Sequence, residues 1–150
     1  KDREWIISRM LQVKFKKLNN DAILPSYGHP GDAGMDLYSL EDKLLKPGER
    51  YTFFIGFTIE FENKYVAIVK DKGGLANKHG LHTLGGVYDS GYRGEYNICL
   101  KNLSNEAYQI KKGDKLAQLI FLPFEQAELI ETEELTSSSR AGGRFGSTGR

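Results

Sequence analysis

The chain has 150 residues, 39% hydrophobic and 27% charged, with 21 basic against 20 acidic side chains and a net charge of +1. That length suits one domain with a sizeable core, and the near-neutral balance excludes wholesale coating of nucleic acid, so any anion site has to be local. No apolar run approaches the roughly 20 residues of a membrane span, and none has the length of a signal-peptide core.

Residues 1–9 are charged and unpatterned and read as an upstream or appended extension, because Met10 opens the first periodic stretch. From Met10 to Leu18, Leu11, Val13 and Phe15 alternate with Gln12, Lys14 and Lys16, which predicts a half-buried strand. Residues 25–34 hold two Pro and three Gly and predict a loop. Met35–Ser39 reads as a short strand and Lys46–Glu49 as a turn. Tyr51–Phe61, rich in Phe, Thr and Ile, reads as one strand, with Asn63-Lys64 as a hairpin turn into Tyr65–Lys70. Lys72–Gly80 holds three Gly and supports a helical turn or two. Leu81–Tyr88 and Tyr92–Leu103 predict the arms of a hairpin. Tyr108–Ile110, Lys115–Phe124 and Ala127–Glu131 predict further strands, the first two joined by a turn at Lys111–Asp114. Many short strands with Gly/Pro turns and no βαβ alternation predict an all-β barrel or jelly roll over 10–135. From Thr136 the pattern stops, and 136–150 reads as a flexible, basic tail. Cys99, the only cysteine, precludes an intramolecular disulfide, reads as a packed thiol and points to a reducing compartment, the cytoplasm.

Five segments can carry chemistry. In Gly85–Glu95, Asp89 and Tyr92 flank a Ser-Gly turn, where an acid and a ring can share one small ligand. Asp36 enters a strand straight after the loop Gly31–Gly34, which also suits a solvated loop acid. Lys72-Gly73-Gly74 opens a helical turn and can offer backbone N–H groups to phosphate, or can be a plain turn; it lacks the spacing of a Walker A loop. Gln118 is an amide in an apolar strand, which needs a partner or a ligand if it faces inward. Arg140, Arg144 and Phe145 lie among Gly, Ser and Thr, in a tail that is either simply disordered or orders on an anionic ligand.

Taken in order, these segments resemble the trimeric dUTPase family, over nearly the whole chain from Met10. The resemblance rests on Ala33–Ser39, Asp71–Ala76, Gly86–Glu95, Gly113–Ile120 and Arg140 with Phe145–Gly149. It implies a distorted jelly roll assembled as a homotrimer, with active sites shared between chains and completed by the C-terminal arm 136–150. The implied reaction is Mg2+-dependent hydrolysis of dUTP to dUMP and pyrophosphate, which keeps uracil out of DNA and supplies dUMP for dTMP synthesis. By the same resemblance Asp89 activates the attacking water and Tyr92 packs under the deoxyribose. The backbone from Thr83 through Gly86, Val87 and Tyr88 reads uracil. Lys72, Gly73, Gly74 and Gln118 contact phosphate, Arg140 grips the terminal phosphate, and Phe145, with Gly146 and Ser147 beside it, caps the base. Asp36 is implied to act on Mg2+ through a water, the metal resting on triphosphate oxygens with no direct protein ligand.

Three departures from the family pattern stand out. Gly73 replaces a usual Ser, and a lost donor of that kind costs about 2.7–4 kcal/mol where nothing replaces it. Arg144 stands where Gly is common before the Phe, as an extra phosphate contact or a hindrance to closure. Thr83 replaces an Asn often found near the uracil. Two rival readings share the fold: a dCTP deaminase, for which Glu95 is the candidate proton shuttle, and a non-catalytic nucleotide-binding module.

Overall fold

The structure is a computed structural model and describes residues 10–149; the extension 1–9 lies outside the described residues. These form twelve strands and one helix: β1 (Lys14–Lys17), β2 (Ser26–Tyr27), β3 (Met35–Tyr38), β4 (Lys43–Leu45), β5 (Arg50–Phe54), β6 (Phe57–Glu60), β7 (Tyr65–Asp71), α1 (Gly73–His79), β8 (Leu81–Leu84), β9 (Val87–Tyr88), β10 (Asn97–Asn102), β11 (Tyr108–Ile110) and β12 (Lys115–Pro123). All pairings are antiparallel. The largest sheet runs β2-β3-β12-β7-β9; β5-β10-β8 makes a second, and β1-β6 and β11-β4 are two-stranded ribbons. The result is an all-β, jelly-roll-like fold without barrel closure.

Period-two alternation explains the core. In β10, Ile98, Leu100 and Asn102 turn inward while Asn97, Cys99 and Lys101 are only half-buried. Ile98 and Leu100 join Phe53 from β5 of the same sheet, Leu45 from the β11-β4 ribbon, and Leu37, Val69 and Leu119 from the large sheet in one apolar cluster. The buried Asn102 is fully partnered: its amide donates to the Leu45 and Glu106 carbonyls at 3.0 and 2.8 Å, and its Oδ1 accepts from Ser104 N and Oγ at 2.9 and 2.8 Å.

Several expected elements differ. The strand expected over Met10–Leu18 is confined to Lys14–Lys17. The single strand expected over Tyr51–Phe61 is two, because Gly56 takes a φ of +77° that only Gly adopts without strain. There the chain leaves β10 for β1, and Tyr96 closes the corner: Ile55 N donates to Tyr96 O at 3.0 Å and Tyr96 N to Phe57 O at 2.8 Å. Asn63-Lys64 is a turn, but β6 and β7 enter different sheets, so no hairpin forms. Of the arms expected around Asp89, β8 pairs β10, whereas β9 crosses to β7. Ala127–Glu131 carries no strand among the described residues, and Leu129 and Ile130 lie 92% and 82% exposed. No helix of the described residues is long and apolar enough to cross a membrane.

The crossing from β8 to β9 depends on Gly86. Its φ is +98°, its carbonyl accepts from Val69 N at 2.8 Å, and a Cβ there would lie 2.8 Å from the Val69 carbonyl oxygen. Backbone cannot yield as a side-chain tip can. Gly86→Ala is therefore expected to destabilise the fold by about 1–3 kcal/mol, measured by urea unfolding; an unchanged midpoint would show that the crossing tolerates a Cβ.

Candidate active site

Within one chain the candidate residues fall into three groups. The first lies at the Lys72 end of the large sheet. Asp36 on β3 is opposite Gln118 on β12, so both project from one face. Lys115 reaches the same face only because β12 bulges: Lys115 is opposite Tyr38 and Ala117 opposite Leu37, which leaves Leu116 as the extra residue. In a regular strand, residues three apart point to opposite faces; the bulge re-aims one of them.

Asp36 is 4% exposed. Its Oδ1 takes Lys72 Nζ at 2.6 Å and its Oδ2 takes Lys115 Nζ at 3.0 Å. Burial by itself pushes the Asp36 pKa up, but the hydrogen bonds from Lys72 and Lys115, with their charges, outweigh it and hold the carboxyl below its ordinary value. The same contact raises Lys115. Gln118 donates from Nε2 to the Asp71 carbonyl at 2.8 Å and packs against Gly34, where a Cβ would fall 2.8 Å from its Cδ. The absence of a side chain at Gly34 thus makes the room that Gln118 occupies. These groups line a cleft of about 420 Å³, together with the turn from Gly28 to Gly34. Gly73 and Gly74 open α1 beside it, in space that would admit a side chain. The first-turn N–H groups of a helix have no intrahelical acceptor.

The second group is the β8–β9 crossing and the loop after it. Thr83 is buried, and the Asp71 carboxylate takes both its N–H, at 2.7 Å, and its hydroxyl; the other Asp71 oxygen faces His82 Nδ1 at 2.6 Å. Tyr92 N donates to Asp89 O at 3.1 Å, closing the turn, and Arg93 Nη1 braces it through the Ser90 carbonyl at 2.7 Å. The Asp89 carboxylate is exposed and accepts no hydrogen bond from a described residue. The Tyr88 hydroxyl accepts from Asn97 N at 3.1 Å and donates to Asn97 O. Glu95 accepts from Gly56 N at 3.2 Å, which gives its carboxylate a structural task.

Only the far end of this group stands apart from the cleft: Thr83 is tied to Asp71 beside Lys72, whereas Asp89 and Tyr92 are not. Tyr88 is opposite Ala67 on β7, and β9 runs antiparallel to β7, so Asp89 continues away from Lys72. Lys72 lies five positions along from Ala67, about 16 Å of extended chain. The third group, the arm, lies away from both. Every residue from 122 to 149 is exposed, Phe145 at 91%; Arg140 Nε donates within the arm to Gly143 O at 2.8 Å, and the Arg144 guanidinium sits 4.9 Å from the centre of the Phe145 ring. Gly146 continues the arm in a turn with Gly149, whose N donates to its carbonyl at 3.0 Å, and Ser147 lies exposed between them.

The chain has close relatives among known proteins. The dUTPase family model matches residues 20–149. The chain belongs to the dUTPase family. It is 46% identical over 142 residues to the deoxyuridine 5'-triphosphate nucleotidohydrolase of Nautilia profundicola, covering 93% of this chain and 100% of the relative. With that of Clostridioides difficile it shares 44% over 142 residues, covering 93% and 99%. Among solved structures, a mutant dUTPase of Staphylococcus bacteriophage 80alpha with dUpNHpp superposes with a TM-score of 0.87 at 27% identity, covering 93% of this chain and 99% of that one. A mutant dUTPase of phage phi11 of S. aureus, described with a structural Mg(II) ion, gives 0.78 at 28%, covering 84% and 99%. As a member of the family, the chain is a dUTP diphosphatase, a hydrolase of nucleotide metabolism.

Asp36, Lys72 and Gln118, expected from the sequence, come together at the cleft, whereas Lys115 and Asp71 had no role in that expectation. Lys115 stands inside a recognised dUTPase segment, yet only the bulge brings it to Asp36. Asp71 directly precedes Lys72 and ties β8 to β7. For Mg2+, no cluster of three or more His, Cys, Asp or Glu converges among the described residues. Asp36 is a fixed, ionised carboxylate with acceptor capacity beyond its two lysines. Its chemistry fits a metal held by phosphate oxygens and water.

Because folding lowers the Asp36 pKa, its contribution to stability is full above the unfolded value of about 4 and disappears as pH falls through the folded value. Asp36→Asn is expected to be about 1–2 kcal/mol less stable than the parent at pH 7. The difference should vanish on acidification below about pH 4, followed by urea unfolding from pH 7 to 3. A gap independent of pH would contradict the ion-pair assignment.

Proposed function

We propose that this dUTPase hydrolyses dUTP to dUMP and pyrophosphate in a Mg2+-dependent reaction, by attack of water on the α-phosphorus, at sites shared between the chains of a homotrimer. The observation that carries the sharing is the separation within one chain. Asp89 and the phosphate-compatible cleft lie at opposite ends of β7, too far apart to act on one triphosphate. A second copy has to bring its cleft to Asp89, and the C-terminal arm, 136–150, of a further copy can close over both.

In this reading the Asp89 carboxylate accepts a proton from the water as its oxygen approaches the α-phosphorus. The bond from the α-phosphorus to the bridging oxygen breaks, and pyrophosphate leaves with that oxygen. General-base help of this kind is worth about 10²–10⁴-fold, so positioning and charge supply the rest. An exposed carboxylate suits the role because no side chain or backbone group among the described residues occupies its lone pairs, and the water it holds is free to exchange.

Lys72, the N–H groups of Gly73 and Gly74, and Gln118 hold the phosphates, with Lys115 adding charge beside them. Mg2+ on the triphosphate oxygens would spread the developing charge, and Asp36 would hold one of its waters. Tyr92 packs under the deoxyribose and leaves no room for a 2′-hydroxyl. The backbone from Thr83 through Gly86 and Val87 to Tyr88 reads uracil with groups that the sheet fixes. Thr83 contributes through its place in that backbone, since Asp71 holds its hydroxyl and N–H. Arg140 binds the terminal phosphate, Phe145 caps the base, and Gly146 and Ser147 let the arm turn onto the nucleotide. Arg144 adds a cation beside the Phe145 ring. Such an enzyme removes dUTP before uracil enters DNA and supplies dUMP for dTMP synthesis.

The test is hydrolysis by the purified protein with Mg2+ and either dUTP or dCTP, following pyrophosphate and ammonia. Pyrophosphate from dUTP alone is expected, and Asp89→Asn should lose at least about 10²-fold in turnover while still binding dUpNHpp. Ammonia from dCTP would reveal a deaminase, and silence on both nucleotides a binding module. Near-normal turnover in Asp89→Asn would remove Asp89 from its role.

A further inference from the structure

Tyr92 belongs to a loop and is 38% exposed, yet a ring that excludes one hydroxyl group needs a fixed plane. Its own loop supplies two restraints. The Tyr92 hydroxyl donates to the Glu95 carbonyl at 3.0 Å, and the ring lies so close over Gly94 that a Cβ there would come within 2.6 Å of Tyr92 Cζ. The remaining support comes from two other tyrosines. Tyr88 meets Tyr92 at 5.5 Å between centroids and 61°, and Tyr96 meets it at 5.8 Å and 58°. Edge-on contacts of this kind are favourable beyond their buried area.

Tyr96 anchors that arrangement. It is fully buried and lies parallel to Tyr88 at 4.1 Å and 15°. On its other side Phe57 stacks at 5.5 Å and 22°, and Phe57 in turn packs on Phe15 at 4.8 Å. A column of four rings therefore runs from the β1-β6 ribbon out to the loop, with Tyr92 resting on its end. The backbone of Tyr96 is pinned at both the Ile55 and Phe57 ends of the β5–β6 corner. Its hydroxyl, by contrast, is buried without a hydrogen-bond partner among the described residues. An unpaired buried hydroxyl costs free energy, so the ring is the part that serves.

We propose that Tyr96 is a positioning residue for sugar discrimination: it transmits the rigidity of the core to Tyr92 and so sets the preference for a 2′-deoxynucleotide over its ribo counterpart. The inference rests on the reading of Tyr92 as the ring beneath the deoxyribose. The readout is the ratio of kcat/KM for dUTP to kcat/KM for UTP, which a general loss of folded enzyme does not move.

Tyr96→Phe keeps the ring and is expected to hold that ratio within about twofold of the parent, whereas Tyr96→Leu should lower it about three- to tenfold. Gly94→Ala, which displaces the Tyr92 ring without touching the core, should lower it as well. Tyr96→Met, an unbranched filler of similar reach, replaces the Leu variant if that protein does not fold. Tyr92→Ala separates the two layers of the argument. If it collapses the ratio while Tyr96→Leu or Tyr96→Met keeps the parental value, Tyr96 is merely structural and the inference fails. If Tyr92→Ala itself leaves the ratio unchanged, the sugar-facing reading of Tyr92 fails, and the role of Tyr96 with it.

Discussion

The pairing of β7 with β12 is the constraint on which the rest of this protein depends. Seven residues of each strand stay in register, from Ala117 opposite Asp71 to Pro123 opposite Tyr65. The pairing fixes the middle of the large sheet and sets Gln118 beside the start of the Lys72 segment. Because β9 pairs β7 in the antiparallel sense, it also sends Asp89 toward the far end. One ladder thus builds the cleft and directs Asp89 away from it, and the proposed sharing of the site between chains rests on that geometry.

At the cleft end, the buried Asp36 draws two lysines onto one face. Burying a carboxylate alone is unfavourable; two ammonium groups, each partly in solvent, make it tolerable and are themselves held in place. In the proposed reaction these preset cations meet the triphosphate without first having to be collected. At the other end order comes from packing instead: rings and a close glycine hold Tyr92, while the Asp89 carboxylate beside it has no hydrogen-bond partner among the described residues. Fixed charge at one end and a free acid at the other fit a division of labour between phosphate binding and water activation.

Much of this was legible in the sequence. Short apolar runs set between Gly/Pro turns exposed β3, β7, β10 and β12, because a strand of an all-β fold must bury at least one face, and the Gly-punctuated segments marked Asp36, Lys72, Asp89, Tyr92 and Gln118. What stayed hidden is non-local. A single φ at Gly56 divides one apparent strand, and alternation does not register it. A bulge at Leu116 changes which face Lys115 uses, and no residue type announces a bulge. The partners of β8 and β9 differ although the two strands are nearly contiguous, because pairing is decided by the sheets they reach. Tyr96 lies inside the arm expected over Tyr92–Leu103 with nothing to single it out, since its stacking between Tyr88 and Phe57 depends on which sheets those segments join.

The claim that one chain cannot assemble its own site is tested by mixing two inactive variants. Asp89→Asn keeps the cleft and Lys72→Ala keeps the acid. After co-refolding, trimers holding both chains, verified by native mass spectrometry, are expected to hydrolyse dUTP far above the sum of the separate parents, because some sites then combine an intact Asp89 with an intact Lys72 from different copies. Mixed trimers that form and stay as inactive as their parents would contradict the account.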